Sequence, residues 1–216
     1  MIWVFDAYGT LFDVDGAARQ AAKGDPSLNT VWMALSADWR RKQLEYSWLR
    51  TITGEHADFW QVTSDALDWA AKRHGITPEQ SARLLDLYRY LPAYPEVPDT
   101  LDRLHREGSR LAIFSNGSPR MLADAVTSAK LDQRFDALLS VESVGEFKPS
   151  AKAYGIVTGH FACSPGDINF VSSNGWDIYG ATRFGFRTTW VNRLGFPVDR
   201  LPCQPGRIVS DLRELR

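Results

Sequence analysis

The sequence predicts an α/β protein, a parallel sheet covered by helices on both faces with a helical segment inserted after the first strand. Three observations carry the prediction. Four short apolar runs each empty into polar residues, stretches with recognisable helix ends lie between the later runs, and residues 14–92 show helical periodicity with no convincing strand.

The first run, Ile2-Trp3-Val4-Phe5, closes on Asp6 and Gly9 and reads as a buried parallel strand followed by a loop. In the insertion, Trp39, Leu44, Trp48 and Leu49 recur at helical spacing, and Phe59, Trp60, Leu67 and Trp69 form a second set. Thr77-Pro78-Glu79-Gln80 reads as a capping box with proline in the first turn, opening a helix through Leu84, Leu85 and Leu87. Residues 91–98 hold three prolines, which cannot continue a helix, and mark the return to the first domain. The expected division is therefore a sheet domain of residues 1–13 and 93–216 and a helical domain of residues 14–92. The later runs, 111–114, 168–171 and 188–191, end at Ser115-Asn116-Gly117, Ser172-Ser173-Asn174 and Asn192-Arg193. Ser118 before Pro119 is an N-cap signal, and Gly108 and Gly185 are C-cap signals.

Composition narrows the function. Of 216 residues, 25 are Lys or Arg and 26 Asp or Glu, a net charge of −1, so no broad field attracts nucleic acid or anionic lipid. A content of 44% hydrophobic residues with 16 Gly and 11 Pro is that of an ordinary globular protein. Cys163 and Cys203 are too few for a disulfide scaffold, and no Cys/His cluster has zinc spacing, which points to a reduced, cytoplasmic protein. Met1 runs straight into the first apolar segment without a basic leader, and no apolar run reaches membrane-span length.

In an open parallel sheet the working residues gather beyond the carboxyl ends of the strands. Asp6 and Thr10, Ser115 and Asn116, Lys148, and Ser172, Asn174 and Asp177 would then face one crevice. That set offers a carboxylate nucleophile, a cation, hydroxyl and amide donors, and a second carboxylate to activate water. Singly, each has a plainer reading: Asp6 as a turn cap, Lys148 as a surface lysine, the Ser/Asn/Gly sets as loop chemistry. Their order along the chain is more specific than any one member.

In that order the residues resemble the haloacid dehalogenase superfamily, specifically the L-2-haloacid dehalogenases. The matching segments are Phe5-Asp6-Ala7-Tyr8-Gly9-Thr10-Leu11-Phe12-Asp13-Val14, Ser115-Asn116-Gly117-Ser118-Pro119, Lys148-Pro149 and Ser172-Ser173-Asn174-Gly175-Trp176-Asp177. In the insertion, Trp39-Arg40-Arg41-Lys42-Gln43-Leu44-Glu45-Tyr46 is similar to the dehalogenase cap. The resemblance implies a Rossmann-like core under a helical cap, usually a homodimer, acting on a small halogenated carboxylic acid without metal or other cofactor. It implies Asp6 as nucleophile with Thr10 beside it, Arg40 and Asn116 around the departing halide, and Ser115 on the substrate carboxylate. Lys148 would sit near Asp6 and Asp177, and Asp177 with Ser172 and Asn174 would position the hydrolytic water. Tyr8, Leu44, Phe59 and Trp176 match positions that line the substrate pocket, although aromatic residues also fill cores as plain packing. Phosphatases of the superfamily carry a second aspartate where this chain has Tyr8. A phosphatase or phosphonatase-type hydrolase, and a non-catalytic small-anion-binding protein, are the competing readings. Arg41 and Gly175 depart from the pattern, where glutamine and alanine are frequent.

Overall fold

The computed structural model describes residues 1–215. Strands β1 (Ile2–Phe5), β2 (Arg110–Ser115), β3 (Ala137–Ser140), β4 (Ile168–Ser172), β5 (Arg187–Val191) and β6 (Arg207–Val209) form one six-stranded sheet in the order β3-β2-β1-β4-β5-β6. Every pairing is parallel. The chain winds outward from β1 through β2 to β3, then crosses back to β4 and winds the other way. The reversal lies between β1 and β4, where the flanking loops part and leave a crevice beyond the carboxyl ends.

The inner strands are apolar because they are covered on both faces: Val4, Phe5, Leu111, Ala112, Ile113, Phe114, Phe170 and Val171 are fully buried. Helices α5 (Val97–Arg106), α6 (Pro119–Ser128), α7 (Ala151–Phe161) and α8 (Gly175–Phe184) connect the strands. Ser118 caps α6 by accepting from the Met121 amide, and Gly185 closes α8 at φ 109°. Pro98, which the sequence places in the connecting segment, lies in the first turn of α5, where its missing N–H has no partner to lose.

Between β1 and α5 lie α1 (Gly16–Ala22), α2 (Pro26–Thr53), α3 (Phe59–His74) and α4 (Pro78–Tyr88). The chain leaves for these helices and returns side by side: the Asp13 amide donates to Pro92 O and the Tyr94 amide to Leu11 O, each at 2.9 Å. Asp25 caps α2, its carboxylate accepting from the Ser27 and Leu28 amides, and Gly54 ends it in the left-handed region. The capping box at Thr77 and Gln80 is formed as the sequence predicts.

The inward line of α2 differs from the one read in the sequence. Trp39 is buried, but Leu49 is 51% exposed, and the buried positions are Leu28, Leu35, Ser36, Trp39, Gln43 and Ser47. Polar Gln43 and Ser47 thus continue a face that apolar spacing alone would rotate toward Leu44 and Leu49.

Candidate active site

Asp6 leaves β1 with its amide bonded to Val171 O of β4, so the carboxylate stands at the point where the sheet order reverses. One oxygen, Oδ2, accepts from Thr10 Oγ1 and Asn174 Nδ2, both at 2.9 Å; the other, Oδ1, accepts from Lys148 Nζ at 2.9 Å. Lys148 is 1% exposed, and its ammonium also reaches Asp177 Oδ2 at 2.7 Å and Phe114 O at 3.3 Å. Two buried carboxylates therefore share one buried ammonium. Burial alone would pull the Lys148 pKa down, but Asp177 and Asp6 outweigh it and hold the group above its ordinary value. Burial pushes the Asp177 carboxyl above the ordinary aspartate value, with Lys148 opposing and Asp6 adding to the rise.

The loop residues divide into those that reach Asp6 and those that shape the backbone. Thr10 does both, since its hydroxyl also accepts from the Ser173 amide at 2.8 Å. Asn116 Oδ1 accepts from the Lys148 amide at 2.8 Å, tying the lysine loop to the end of β2. Ser115 Oγ accepts from the Gly117 amide, and Ser172 Oγ from the Asn174 amide. These two hydroxyls cap turns, and Ser172 makes no hydrogen bond to Asp6, Lys148 or Asp177 among the described residues.

A small cavity opens beside Asp6. Its walls are Asp6, Ser115, Asn116, Lys148 and Trp176 from the sheet side, and Tyr8, Arg40, Leu44 and Phe59. The helical layer is fixed over it by Glu142, which accepts from the Phe59 amide at 3.1 Å and faces His56 Nε2 at 2.9 Å, and by Thr51 Oγ1, which accepts from the Phe147 amide at 3.0 Å. Tyr8 stacks on Tyr88 with centroids 5.8 Å apart, and burial, then Tyr88 and Asp6, raise its pKa well above the usual phenol value, so it remains a neutral phenol. Trp176 packs edge-on against Trp48 of α2. Arg40 Nη2 lies 3.4 Å from both Tyr8 O and Asn174 Oδ1, and Nη1 donates to Gln43 Oε1 at 2.7 Å.

Sequence reading missed Tyr154. Its hydroxyl donates to Asp177 Oδ1 at 2.8 Å, so both oxygens of that carboxylate are engaged. Tyr154 is fully buried among Phe114, Phe170, Phe184 and Phe186, and in α7 it looks like any core aromatic. Gly180 is the matching concession: a Cβ there would stand 2.5 Å from the Tyr154 hydroxyl and 2.6 Å from Pro149 Cβ. Both departures from the resemblance lie away from the cavity. Arg41 points outward, ion-paired with Asp38 and Glu45, and a Cβ at Gly175 would meet the Asp199 carboxylate at 2.8 Å.

The site does not suit a divalent cation. Its two carboxylates both face Lys148 Nζ, and among the described residues no three His, Cys, Asp or Glu side chains converge as ligands.

The family model of haloacid dehalogenase-like hydrolases matches residues 2–185. The chain belongs to this family. Among curated haloacid dehalogenase-like relatives, it is 41% identical to (S)-2-haloacid dehalogenase 4A of Burkholderia cepacia, over 98% of this chain and 91% of the relative. It is 40% identical to (S)-2-haloacid dehalogenase 1 of Pseudomonas sp. strain CBS-3, over 98% and 93%. A solved L-2-haloacid dehalogenase of Xanthobacter autotrophicus, with chloropropionic acid covalently bound, superposes with a TM-score of 0.88 at 34% identity, covering 98% of this chain and 94% of that one.

Proposed function

We propose that this protein hydrolyses the carbon–halogen bond of short L-2-haloalkanoic acids through an ester on Asp6, giving D-2-hydroxy acids. The observation that carries the reading is the pairing across one small cavity of a buried carboxylate, Asp6, with an arginine, Arg40, that has no carboxylate partner among the described residues. The similarity to a dehalogenase holding covalent chloropropionic acid supports it.

On this reading a carboxylate oxygen of Asp6 attacks the α-carbon opposite the halogen. The oxygen–carbon bond forms as the carbon–halogen bond breaks, the halide leaves with the electron pair, and the carbon inverts. Arg40 and Asn116 take up the developing halide charge, which a preorganised cation in a dry site stabilises more than water does. Ser115 holds the substrate carboxylate, and Tyr8, Leu44, Phe59 and Trp176 fit the short chain. Thr10 and Asn174 orient Asp6 by donating to Oδ2. No acid is needed at position 8, because a halide leaves without a proton.

Esterification removes the charge of Asp6, and Lys148 then faces Asp177 alone. Water attacks the ester carbonyl carbon of Asp6 and the acyl–oxygen bond breaks. One water proton goes to Asp177, the carboxylate that stays free beside Lys148, and then to solvent; the other ends on the product hydroxyl. Ser172 and Asn174 hold the turn that leads into α8, whose first turn carries Asp177. Neither displacement is routed through a metal or other cofactor.

On the same reading residues 14–92 act as the cap and residues 1–13 and 93–216 as the Rossmann-like core, and the protein works as a homodimer in the cytoplasm. The exposed Met33, Leu49 and Ile52 on α2 offer apolar surface for a second copy, and no helix among the described residues is long and apolar enough to cross a membrane. Sedimentation at micromolar concentration tests the dimer, with a single species near 24.3 kDa against it. Halide release from L- and D-2-chloropropionate tests the function. Release from the L form with little from the D form is expected, and no halide from any chloro- or bromo-acid overturns it.

A further inference from the structure

We propose that Gln43 is a positioning residue that aims Arg40 at the cavity while leaving its positive charge uncompensated. The inference rests on the dehalogenase reading and adds to it a residue outside the cavity wall. Gln43 lies three residues beyond Arg40 on α2 and is 1% exposed, and a buried amide is costly unless bonded.

Its bonds fix which way the amide faces. Thr63 Oγ1 sits 2.6 Å from Phe59 O and gives its only proton there, so toward Gln43 it can only accept. Gln43 Nε2 donates to it at 2.7 Å, which turns Oε1 toward Arg40 Nη1, also at 2.7 Å. Trp39 Nε1 donates to Thr63 O at 2.8 Å, and the Tyr88 hydroxyl lies 3.3 Å from Gln43 Nε2. Side chains from α2, α3 and α4 thus lock one amide, and that amide locks the guanidinium.

The choice of a neutral acceptor decides the electrostatics. Neighbouring cations on α2 are paired, Arg41 with Asp38 and Lys42 with Glu45. Arg40 has only neutral acceptors among the described residues: Gln43 Oε1, and at 3.4 Å Tyr8 O and Asn174 Oδ1. A glutamate at 43 would grip the guanidinium more strongly but cancel the charge that an outgoing anion has to meet.

Gln43→Glu, which keeps the shape, and Gln43→Met, which keeps the volume but removes the acceptor, separate these roles. The readouts are kcat and KM by halide release from L-2-chloropropionate, inhibition by added bromide, and bromide NMR line broadening, with circular dichroism for folding. Gln43→Glu is expected to lose about 100-fold or more in kcat and at least about tenfold in bromide affinity. Gln43→Met keeps the charge of Arg40 but loses its aim, and is expected to lose about tenfold in kcat. Glutamate also turns an acceptor toward Thr63 Oγ1, so the order of the two kcat losses does not decide; wild-type kcat and bromide affinity in Gln43→Met, or bromide affinity in a folded Gln43→Glu no weaker than in Gln43→Met, overturns the proposal. Should Gln43→Glu not fold, Gln43→Met alone decides. Absence of halide release from the wild type would sink the dehalogenase reading, and bromide broadening in the variants would still test the link from Gln43 to Arg40.

Discussion

Replacing Lys148 with methionine removes the one cation between Asp6 and Asp177 while keeping the length of the side chain. The ammonium stands 2.9 Å from one carboxylate and 2.7 Å from the other. With an effective dielectric of about 20, each contact is an attraction of about 6 kcal/mol. Desolvating the ammonium offsets several kcal/mol of this, but the variant leaves two buried carboxylates unpaired, and breaking such a pair costs about 3–5 kcal/mol. That is a large part of a typical stability of about 5–15 kcal/mol. The loss should also depend on pH in a defined direction. Without the cation, one carboxyl is expected to take a folded-state pKa above its unfolded value of about 3.9, so the folded state binds more protons across that window. Stability of the variant then falls as pH rises through it, by up to about 1.4 kcal/mol per pH unit. Urea unfolding of wild type and Lys148→Met from pH 5 to pH 8, with halide release alongside, measures both effects. A variant as stable as wild type at pH 8, or one whose deficit is the same at every pH, would refute the reasoning.

Tyr154→Phe removes a buried hydrogen bond to a charged oxygen and should lower stability by about 1.5–3 kcal/mol, a fall in Tm of about 3–12 °C for a chain of this size. Since the phenol favours the ionised form of Asp177, its loss raises that pKa further, and the acid limb of kcat should move to higher pH; an unmoved limb contradicts the base role of Asp177. Dialysis against a chelator should leave halide release unchanged and added magnesium should not stimulate it, because Lys148 fills the space between the carboxylates; strict magnesium dependence would contradict this.

The inner strands were legible because burial on both faces demands continuous apolar runs, and β1, β2, β4 and β5 all show them. β3 and β6 were not, because they are the sheet edges: Ala137–Ser140 is half-exposed, and Arg207–Val209 is three residues long with one buried. Asp6, Lys148 and Asn174 could be placed from loop position and resemblance, since strand ends converge whatever the details of packing. Tyr154 and Gln43 could not, since each works through a bond across 23 or 20 residues of chain, to Asp177 and to Thr63. Buried polar groups inside helices carry no local mark. Ser172 shows the opposite limit, a residue that the motif singles out and whose hydroxyl turns back to cap its own loop.

The oxygen that Asp6 gives to carbon can be followed directly. A single turnover of L-2-chloropropionate with excess enzyme in heavy-oxygen water, followed by proteolysis and mass spectrometry, reports where the label goes. Covalent catalysis by Asp6 predicts heavy oxygen in the Asp6 peptide and ordinary oxygen in the first hydroxy acid released. Label in the product with an unlabelled Asp6 would mean that water attacks the substrate itself.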